Sequence, residues 1–324
     1  EISTRDWSSD VCSSDLAVAA LGFEQPTPVQ QQAIPLLISE STDLLALAQT
    51  GTGKTAAFGL PLIDQLDFNS RDPLALILAP TRELCVQISN DLTKFAQYER
   101  NASVVAVYGG ANISMQIKAI KQGAQIIVAT PGRLIDLIGR KAIRLKDIQV
   151  VILDEADEML NMGFQEDIEE ILSHTPETKN TWLFSATMPA EIRQIADEFM
   201  NSPKELVMGK KNEAADNLEH HYYVIHERDR YPALKRLLDA SPELFAVVFC
   251  RTKIDTQKVA EHLIRDGYNA DALHGDLSQQ QRDKVMDRYR QRSLQVLVAT
   301  DVAARGIDVS NITHVIHYHL PDEI

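Results

Sequence analysis

Short apolar runs alternate with amphipathic stretches along most of the chain. The apolar runs predict buried strands at residues 43–48, 74–78, 104–107, 125–129, 150–153 and 182–184. Helical patterns lie between them, for example at residues 83–95 and 190–200. Strands that are apolar on both faces and alternate with helices are typical of a parallel sheet covered by helices on both sides.

A second alternation of the same kind follows. Its predicted strands are 221–225, 245–249, 270–273, 296–299 and 314–318, and its predicted helices are 230–240, 253–265 and 279–291. Residues 209–217 are polar and lack apolar periodicity, which predicts a linker. We therefore predict an α/β fold with two tandem units, 17–208 and 218–324, each built on a parallel sheet.

Residues 1–16 differ in pattern from the rest of the chain. The stretch 6–16 is polar and repetitive, without a helical or strand period. It matches, without a break, one reading frame of a common sequencing-library adapter. We expect residues 1–16 to be translated adapter and exclude them from fold prediction. The alternative is an ordinary low-complexity tail.

Composition narrows the class of protein. With 44% hydrophobic and 24% charged residues, the chain has the profile of a soluble globular protein. No apolar run approaches the ~20 residues that cross a bilayer, so we expect no membrane partner. Cys12, Cys85 and Cys250 form no CxxC pair, which excludes a typical zinc or disulfide framework and favours the cytoplasm. The net charge of −14 argues against nucleic acid unless a local groove is basic.

A glycine-rich loop indicates a nucleotide site. Ala48–Thr55 follows the first predicted strand and nearly matches the P-loop pattern G-x-x-x-x-G-K-[ST], with Ala48 in place of the first glycine. Lys54 would reach the β- and γ-phosphates, and the Thr55 hydroxyl would hold Mg²⁺. The alternative is a glycine-rich turn with a chance Lys-Thr pair, which the strand–loop–helix context disfavours.

Two carboxylates follow the predicted strand at 150–153. Asp154 stands where a P-loop enzyme places its second Mg²⁺ contact, and Glu155 would position and deprotonate the attacking water. The alternative is a solvated acidic start of a helix. The presence of the P-loop upstream favours the catalytic interpretation.

With its motifs in order from Gly22 to Asp308, the chain resembles the DEAD-box RNA helicases of superfamily 2, which are named for the tetrapeptide found here at 154–157. The resemblance implies two RecA-like domains, ATP and Mg²⁺ as cofactors, and ATP-dependent unwinding of short RNA duplexes. The amino-acid sequences of these motifs are similar to those of bacterial members that are tied to cold shock and ribosome assembly. Ribosomal precursors and the RNA-degradation machinery are therefore candidate partners.

The resemblance also implies residue roles. In the Q motif at 22–30, Gln30 would read adenine and Phe23 would stack on it. Nucleotide contacts are implied at Phe23, Gln30, Gln49, Thr50, Gly51, Thr52, Gly53, Lys54, Thr55, Asp154, Gly306 and Asp308. Contacts to RNA are implied at Pro80, Thr81, Arg82, Gly109, Gly110, Thr130, Pro131, Gly132, Arg133, Arg251, Gly275, Asp276, Gln279, Arg282 and Thr300. Ser185, Ala186 and Thr187 would couple hydrolysis to strand separation.

The sequence departs from the family after Ile324. There the family continues with a helix that carries arginine fingers, each worth about 10³–10⁵ in rate. We therefore expect an incomplete second domain, and a chain that binds ATP weakly and hydrolyses little of it. Two alternatives are a DNA helicase of the same superfamily and a non-catalytic RNA clamp. The Q motif, the acidic tetrapeptide and Ser185–Thr187 argue against the DNA helicase. Intact Lys54, Asp154 and Glu155 argue against the clamp for the family protein, and for the truncated chain the clamp stays an open alternative.

Overall fold

The computed structural model describes residues 13–49, 51–208, 219–241, 243–300, 303, 309 and 311–320. Three predicted nucleotide contacts lie outside these ranges, at Thr50, Gly306 and Asp308. The predicted linker and residues 1–12 also lie outside them. The chain divides into two compact units, residues 1–213 and 214–324.

Unit 1 is built on a parallel sheet. Its strands are β1 Leu44–Leu47, β2 Ala75–Leu78, β3 Val104–Val107, β4 Ile126–Ala129, β5 Val150–Leu153, β6 Asn180–Ser185 and β7 Lys204–Val207. Its helices are α1 Ser13–Ala20, α2 Pro28–Ser39, α3 Lys54–Gln65, α4 Arg82–Phe95, α5 Ile113–Gln122, α6 Pro131–Gly139, α7 Ala156–Asn161, α8 Gln165–Ser173 and α9 Ala190–Phe199. In the described part of the unit, the strand order is β3-β4-β2-β5-β6-β1-β7, with every pair parallel.

Strands β1 to β5 of unit 1 are apolar at every position because both faces of the sheet are covered. In β5, Val150 and Ile152 lie in one hydrophobic core with Phe58 of α3. Val151 and Leu153 lie in the other core, on the opposite face. Successive strand residues point to opposite faces. The continuous apolar runs of the sequence therefore follow from burial on both sides.

Unit 2 repeats the arrangement with fewer strands in its described part. The strands are β8 Ala246–Cys250, β9 Ala270–Leu273, β10 Val296–Thr300 and β11 His314–His317, in the order β11-β8-β10-β9 and all parallel. The helices are α10 Arg230–Ala240, α11 Lys253–Arg265 and α12 Gln279–Arg290, with a short 3₁₀ turn at Glu227–Asp229. Cores again lie on both faces of the sheet. The predicted fold class of two parallel α/β units is confirmed.

One strand prediction was wrong, and one strand was missed. Residues 221–225 form no strand: Tyr222 and Val224 are 89% and 92% exposed, and neither face of the segment is buried. Alternating β-formers mark a strand only where a pairing strand and a core exist to receive them. Conversely, β7 was not predicted. It pairs with β1 at the edge of the sheet and is mostly exposed, so its hydrophobic signal is weak.

Helix α1 crosses the predicted junction at residue 16. It begins at Ser13, and Ala17 is fully buried. The sequence before Ala17 has no helical period of its own, so burial at Ala17 gives the helix its anchor. Across the part of the chain that the structure covers, no helix is both long enough and apolar enough to cross a membrane.

Candidate nucleotide and RNA sites

The loop between β1 and α3 has the geometry of a phosphate cradle. Gly51 and Gly53 have φ of +78° and +87°, a left-handed conformation that side chains with a Cβ adopt only at a cost. The Thr52 hydroxyl donates to the Gln49 carbonyl at 2.7 Å. Because α3 begins at Lys54, its unpaired N–H groups and positive dipole end face this loop.

Lys54 and Asp154 form a buried pair beneath the loop. They are 6% and 2% exposed, and Lys54 Nζ lies 3.9 Å from Asp154 Oδ1. Lys54 Nζ also donates to the Ala48 carbonyl at 3.2 Å. Burial raises the pKa of Asp154, and the nearby charge of Lys54 partly offsets this effect. Thr55, half-buried, follows in the first turn of α3.

Glu155 is strained and electrostatically perturbed. Its φ of +51° is unusual for a residue with a side chain, and its N–H donates to Asp154 Oδ1 at 3.0 Å. Burial, followed by repulsion from Asp154, raises the pKa of Glu155 to about 7. A carboxyl group with this pKa can accept a proton near neutral pH.

Asp157, the last residue of the acidic tetrapeptide, links the segment that follows β5 to the segment that follows β6. Asp157 Oδ2 accepts from the Thr187 N–H at 2.9 Å and from its hydroxyl at 2.7 Å. The Ser185 hydroxyl donates to the Thr187 carbonyl at 2.7 Å, and the Ser185 carbonyl accepts from the Ala48 N–H at 2.9 Å. The predicted coupling residues 185–187 are therefore bonded to the acidic helix and to the P-loop.

Gln30 links the Q motif to the P-loop. Its Oε1 accepts from the Thr27 N–H at 2.9 Å, and its Nε2 donates to the Gly53 carbonyl at 3.0 Å. The oxygen of a carboxamide can accept two hydrogen bonds and its nitrogen can donate two, so one acceptor position and one donor position of Gln30 remain for a base. Phe23 is 50% exposed, and its ring centroid lies 6.3 Å from that of Phe95.

The candidate RNA residues of unit 1 converge on one loop. A Cβ built on Gly110 would lie 2.4 Å from Arg82 Nη1, so the Arg82 side chain packs directly against the Gly109–Gly110 backbone. Arg133 Nη1 donates to the Ala111 carbonyl at 3.2 Å. Thr81 caps α4 by accepting from the Leu84 N–H at 3.2 Å.

The remaining members of this set lie beside that loop. Pro80 precedes the capped start of α4. Thr130 and Pro131 begin α6, and Gly132 is exposed in its first turn.

The strand order separates the two candidate sites. The P-loop follows β1, the acidic pair follows β5 and the coupling residues 185–187 follow β6; these three strands are neighbours in the sheet. The RNA residues follow β2, β3 and β4, which are also neighbours. The carboxyl ends of parallel strands share one edge of a sheet, where ligands of such folds bind. One edge of unit 1 thus carries both sites side by side.

In unit 2, the candidate residues follow β8, β9 and β10. Arg251 Nη2 donates to the Leu320 carbonyl at 3.3 Å. Asp276 is ion-paired with Lys253 at 2.8 Å. The Thr300 hydroxyl accepts from the Ala303 N–H at 3.3 Å.

The other candidates of unit 2 are near the start of α12. Gly275 is exposed in the loop that precedes it. Gln279 donates to Asp283 at 2.8 Å, and Arg282 is half-buried in the same helix.

Three residues of these sites were not predicted from the sequence. Asp157 and Lys253 act through partners on neighbouring elements, and Gln116 is buried beside Arg133. Their contacts depend on which strands are adjacent, which periodicity does not reveal.

Comparison with known proteins identifies the family of the chain. The sequence model of the DEAD/DEAH box helicase family matches residues 27–195, and that of the helicase conserved C-terminal domain matches residues 229–324. The chain is 48% identical over 314 residues to the DEAD-box ATP-dependent RNA helicase CshA of Bacillus licheniformis, covering 96% of this chain and 64% of that protein. CshA of Listeria monocytogenes is 47% identical over 307 residues, with 95% and 59% covered. The chain thus spans less than two thirds of these relatives' length.

Solved structures show the same architecture. A DEAD box protein from Methanococcus jannaschii is 42% identical, with a TM-score of 0.59 and coverage of 97% of this chain and 85% of that one. Saccharomyces cerevisiae Dbp5 bound to RNA and ADP BeF3 is 29% identical, with a TM-score of 0.87 and coverage of 97% and 80%.

Proposed function

Because the chain belongs to the DEAD-box helicase family, we propose that it is an ATP-dependent RNA helicase that binds single-stranded RNA and unwinds short duplexes. One observation carries the proposal: the phosphate cradle, the acidic pair and the coupling residues follow three adjacent strands, β1, β5 and β6, and the RNA candidates follow β2, β3 and β4 on the same sheet edge. Hydrolysis and RNA binding would then share a single rigid framework.

The residues of the nucleotide site fit ATP with Mg²⁺. The cradle is closely packed, since a Cβ on Gly53 would lie 2.5 Å from Gln30 Nε2. Lys54 supplies a buried positive charge. Thr55 and Asp154 provide hard oxygen ligands of the kind that Mg²⁺ prefers. When bound there, the ion would neutralise charge on the phosphates.

Glu155 is the proposed general base. It would orient the attacking water and accept its proton, and its pKa of about 7 suits this role. Gln30 and Phe23 would select adenine, through the free hydrogen-bonding positions of the carboxamide and through stacking on the exposed ring.

The proposed RNA contacts are made to phosphate and sugar rather than to base edges. Arg82 and Arg133 lie beside exposed backbone at Gly110 and Gly132, an arrangement that suits sequence-independent binding. The likeness to Dbp5 bound to RNA and ADP BeF3 supports RNA as the partner. These local arginines also answer the objection from the acidic net charge.

Stimulation of ATP hydrolysis by nucleic acid tests the proposal. RNA oligomers should stimulate hydrolysis, and DNA oligomers of the same sequence should not. Equal stimulation by DNA would favour a DNA helicase. RNA binding without any hydrolysis would favour a non-catalytic clamp.

We further propose that the protein acts in the cytoplasm on ribosomal precursors or with the RNA-degradation machinery. The bacterial origin of the relatives supports this setting, as does the buried free thiol of Cys85. Sequencing of RNA crosslinked to the protein in cells tests the choice of partner.

Thr187→Val should separate hydrolysis from unwinding. Valine has the same shape but loses the hydroxyl that donates to Asp157 at 2.7 Å. We expect unwinding of a short RNA duplex to fall about tenfold, since a hydrogen bond to a charged group is worth about 1.5–3 kcal/mol. Hydrolysis should stay within about twofold. Thr178→Val, at an exposed position of the same unit, is the control, and a parallel loss of both activities would count against a coupling role.

Gly110→Ala should weaken RNA binding about tenfold. The new Cβ would displace the Arg82 guanidinium, and a residue with a Cβ at φ +85° is strained by roughly 1–2 kcal/mol. The RNA dissociation constant is measured by fluorescence anisotropy. The matched control is Gly139→Ala, where the Cβ meets nothing within 4 Å. Unchanged affinity in Gly110→Ala would show that Arg82 does not depend on this contact.

A further inference from the structure

The structure buries an amide group between the RNA-binding elements of unit 1. Gln116 lies on α5, is 7% exposed and belongs to none of the predicted motifs. Its Nε2 donates to the Tyr108 carbonyl at 3.0 Å, and its Oε1 accepts from Arg133 Nη1 at 2.9 Å. Both ends of the side chain are therefore bonded within the candidate RNA site.

These bonds hold the Gly109–Gly110 loop at both of its ends. Gln116 binds the carbonyl of Tyr108, which precedes the two glycines. Arg133 binds the carbonyl of Ala111, which follows them. The Gln116 side chain thus holds the start of the loop directly and holds its end through Arg133.

The same contact determines how the Arg133 guanidinium is oriented. Its bonds to Ala111 and Gln116 both use Nη1, whereas an arginine has five N–H donors. Nε and Nη2 form the other edge of the guanidinium, and two N–H groups on that edge can bind a phosphate bidentately. A long side chain that is already held in place loses less entropy when it binds.

We propose that Gln116 is a positioning residue for RNA, which holds Arg133 and the Gly109–Gly110 loop in the geometry that receives a phosphate. The inference rests on the proposed RNA-binding function. In this proposal Gln116 acts on RNA indirectly, through Arg133 and through the Gly109–Gly110 loop. A purely structural glutamine would instead stabilise the fold without changing RNA affinity selectively.

Gln116→Met tests the proposal because methionine fills a similar volume without either hydrogen bond. The RNA dissociation constant should rise about tenfold, as expected for loss of a charge-assisted bond. The dissociation constant of a fluorescent ATP analogue should stay unchanged. Gln122→Met places the same substitution at the exposed end of α5 and should change neither value. Urea unfolding verifies that the variants are folded.

A double-mutant cycle then separates positioning from structure. Arg133→Ala should weaken RNA binding by itself, and Gln116→Met should have a clearly smaller effect in that background, because only its bond to Tyr108 is then left to lose. If Gln116→Met does not fold, Gln116→Asn enters the same cycle, since its shorter amide cannot reach both partners.

The outcomes of the cycle are distinguishable. RNA affinity that is unchanged in a folded Gln116 variant, or losses that simply add, would overturn the inference alone. If the unaltered chain binds no RNA, or if Arg133→Ala binds RNA normally, the proposed RNA site is wrong and the inference falls with it.

Discussion

Glu155→Gln should slow ATP hydrolysis by about 10²–10⁴-fold, the range for loss of a general base, while nucleotide affinity stays nearly unchanged. Glutamine keeps the size and shape of the side chain but cannot take a proton from water. Single-turnover hydrolysis, with the chain in excess over ATP and with saturating RNA, measures the effect. Glu166→Gln, at an exposed position of α8, is the matched control.

The pH dependence identifies the group. Only the ionised form of Glu155 can act as a base, and its pKa is raised to about 7. The hydrolysis rate of the unaltered chain should therefore fall about tenfold per pH unit below 7 and level off above it. The residual hydrolysis rate of the Glu155→Gln variant should not show this fall below pH 7. Hydrolysis within tenfold of the unaltered chain, or an unchanged pH profile, would assign the base to another residue.

The same raised pKa carries a consequence for stability. A carboxyl group whose pKa rises from 4.5 to about 7 on folding binds its proton more tightly in the folded state. Stability is therefore lost as pH rises from about 4.5 to 7, when the half-buried group must ionise. Glu155→Gln should raise the free energy of unfolding at pH 8 by roughly 1–3 kcal/mol. A strained, destabilising residue at this position is what a catalytic role leads us to expect.

Sequence patterns predicted the interior of the fold well. The strand at 150–153 and the helix at 253–265 were predicted with their observed bounds. The strand is a continuous apolar run because both of its faces are buried. The helix has Thr252 at its start, whose hydroxyl accepts from the Asp255 N–H. Burial and capping are local properties of the sequence, so they could be recognised without the fold.

Features at the margins of the sheets were harder to predict. Strand β7 is mostly exposed and is recognised only through its pairing with β1. The segment 221–225 has strand-forming residues but no described partner strand. Both depend on strand order, which is a property of the whole fold.

The candidate site shows the same division. The P-loop and the acidic pair are contiguous motifs, each next to a strand, and their positions follow from the sequence. The bonds from Asp157 to Thr187 and from Gln116 to Arg133 join separate elements. The first bond depends on β5 lying beside β6. The second depends on α5 lying beside the start of α6.

Lys54→Met should weaken ATP binding by about 10²–10³-fold. Lys54 is 6% exposed, and its ammonium group is the buried positive charge beneath the P-loop. Removing one partner of a buried ionic contact costs about 3–5 kcal/mol, because the remaining charge stays buried without compensation. Here the remaining charges would be the phosphates and Asp154.

The loss of Lys54 should also change the protonation of Asp154. Lys54, 3.9 Å away, lowers the pKa of Asp154, which burial alone raises. Without that charge the pKa of Asp154 rises further, and a protonated carboxyl group is a poor metal ligand. The variant should therefore bind the nucleotide more weakly for two reasons: it lacks the charge of Lys54, and its Asp154 is a weaker ligand for Mg²⁺. Raising the Mg²⁺ concentration should restore binding only in part.

Titration with a fluorescent ATP analogue measures the effect, and RNA anisotropy in the same samples serves as an internal reference. The RNA candidates follow β2, β3 and β4, whereas Lys54 follows β1, so RNA affinity without nucleotide should be unchanged. Lys94→Met removes an exposed lysine that pairs with Asp91 at 3.1 Å and should bind the analogue normally. Nucleotide affinity within tenfold of the unaltered chain would show that Lys54 neutralises Asp154 rather than the phosphates.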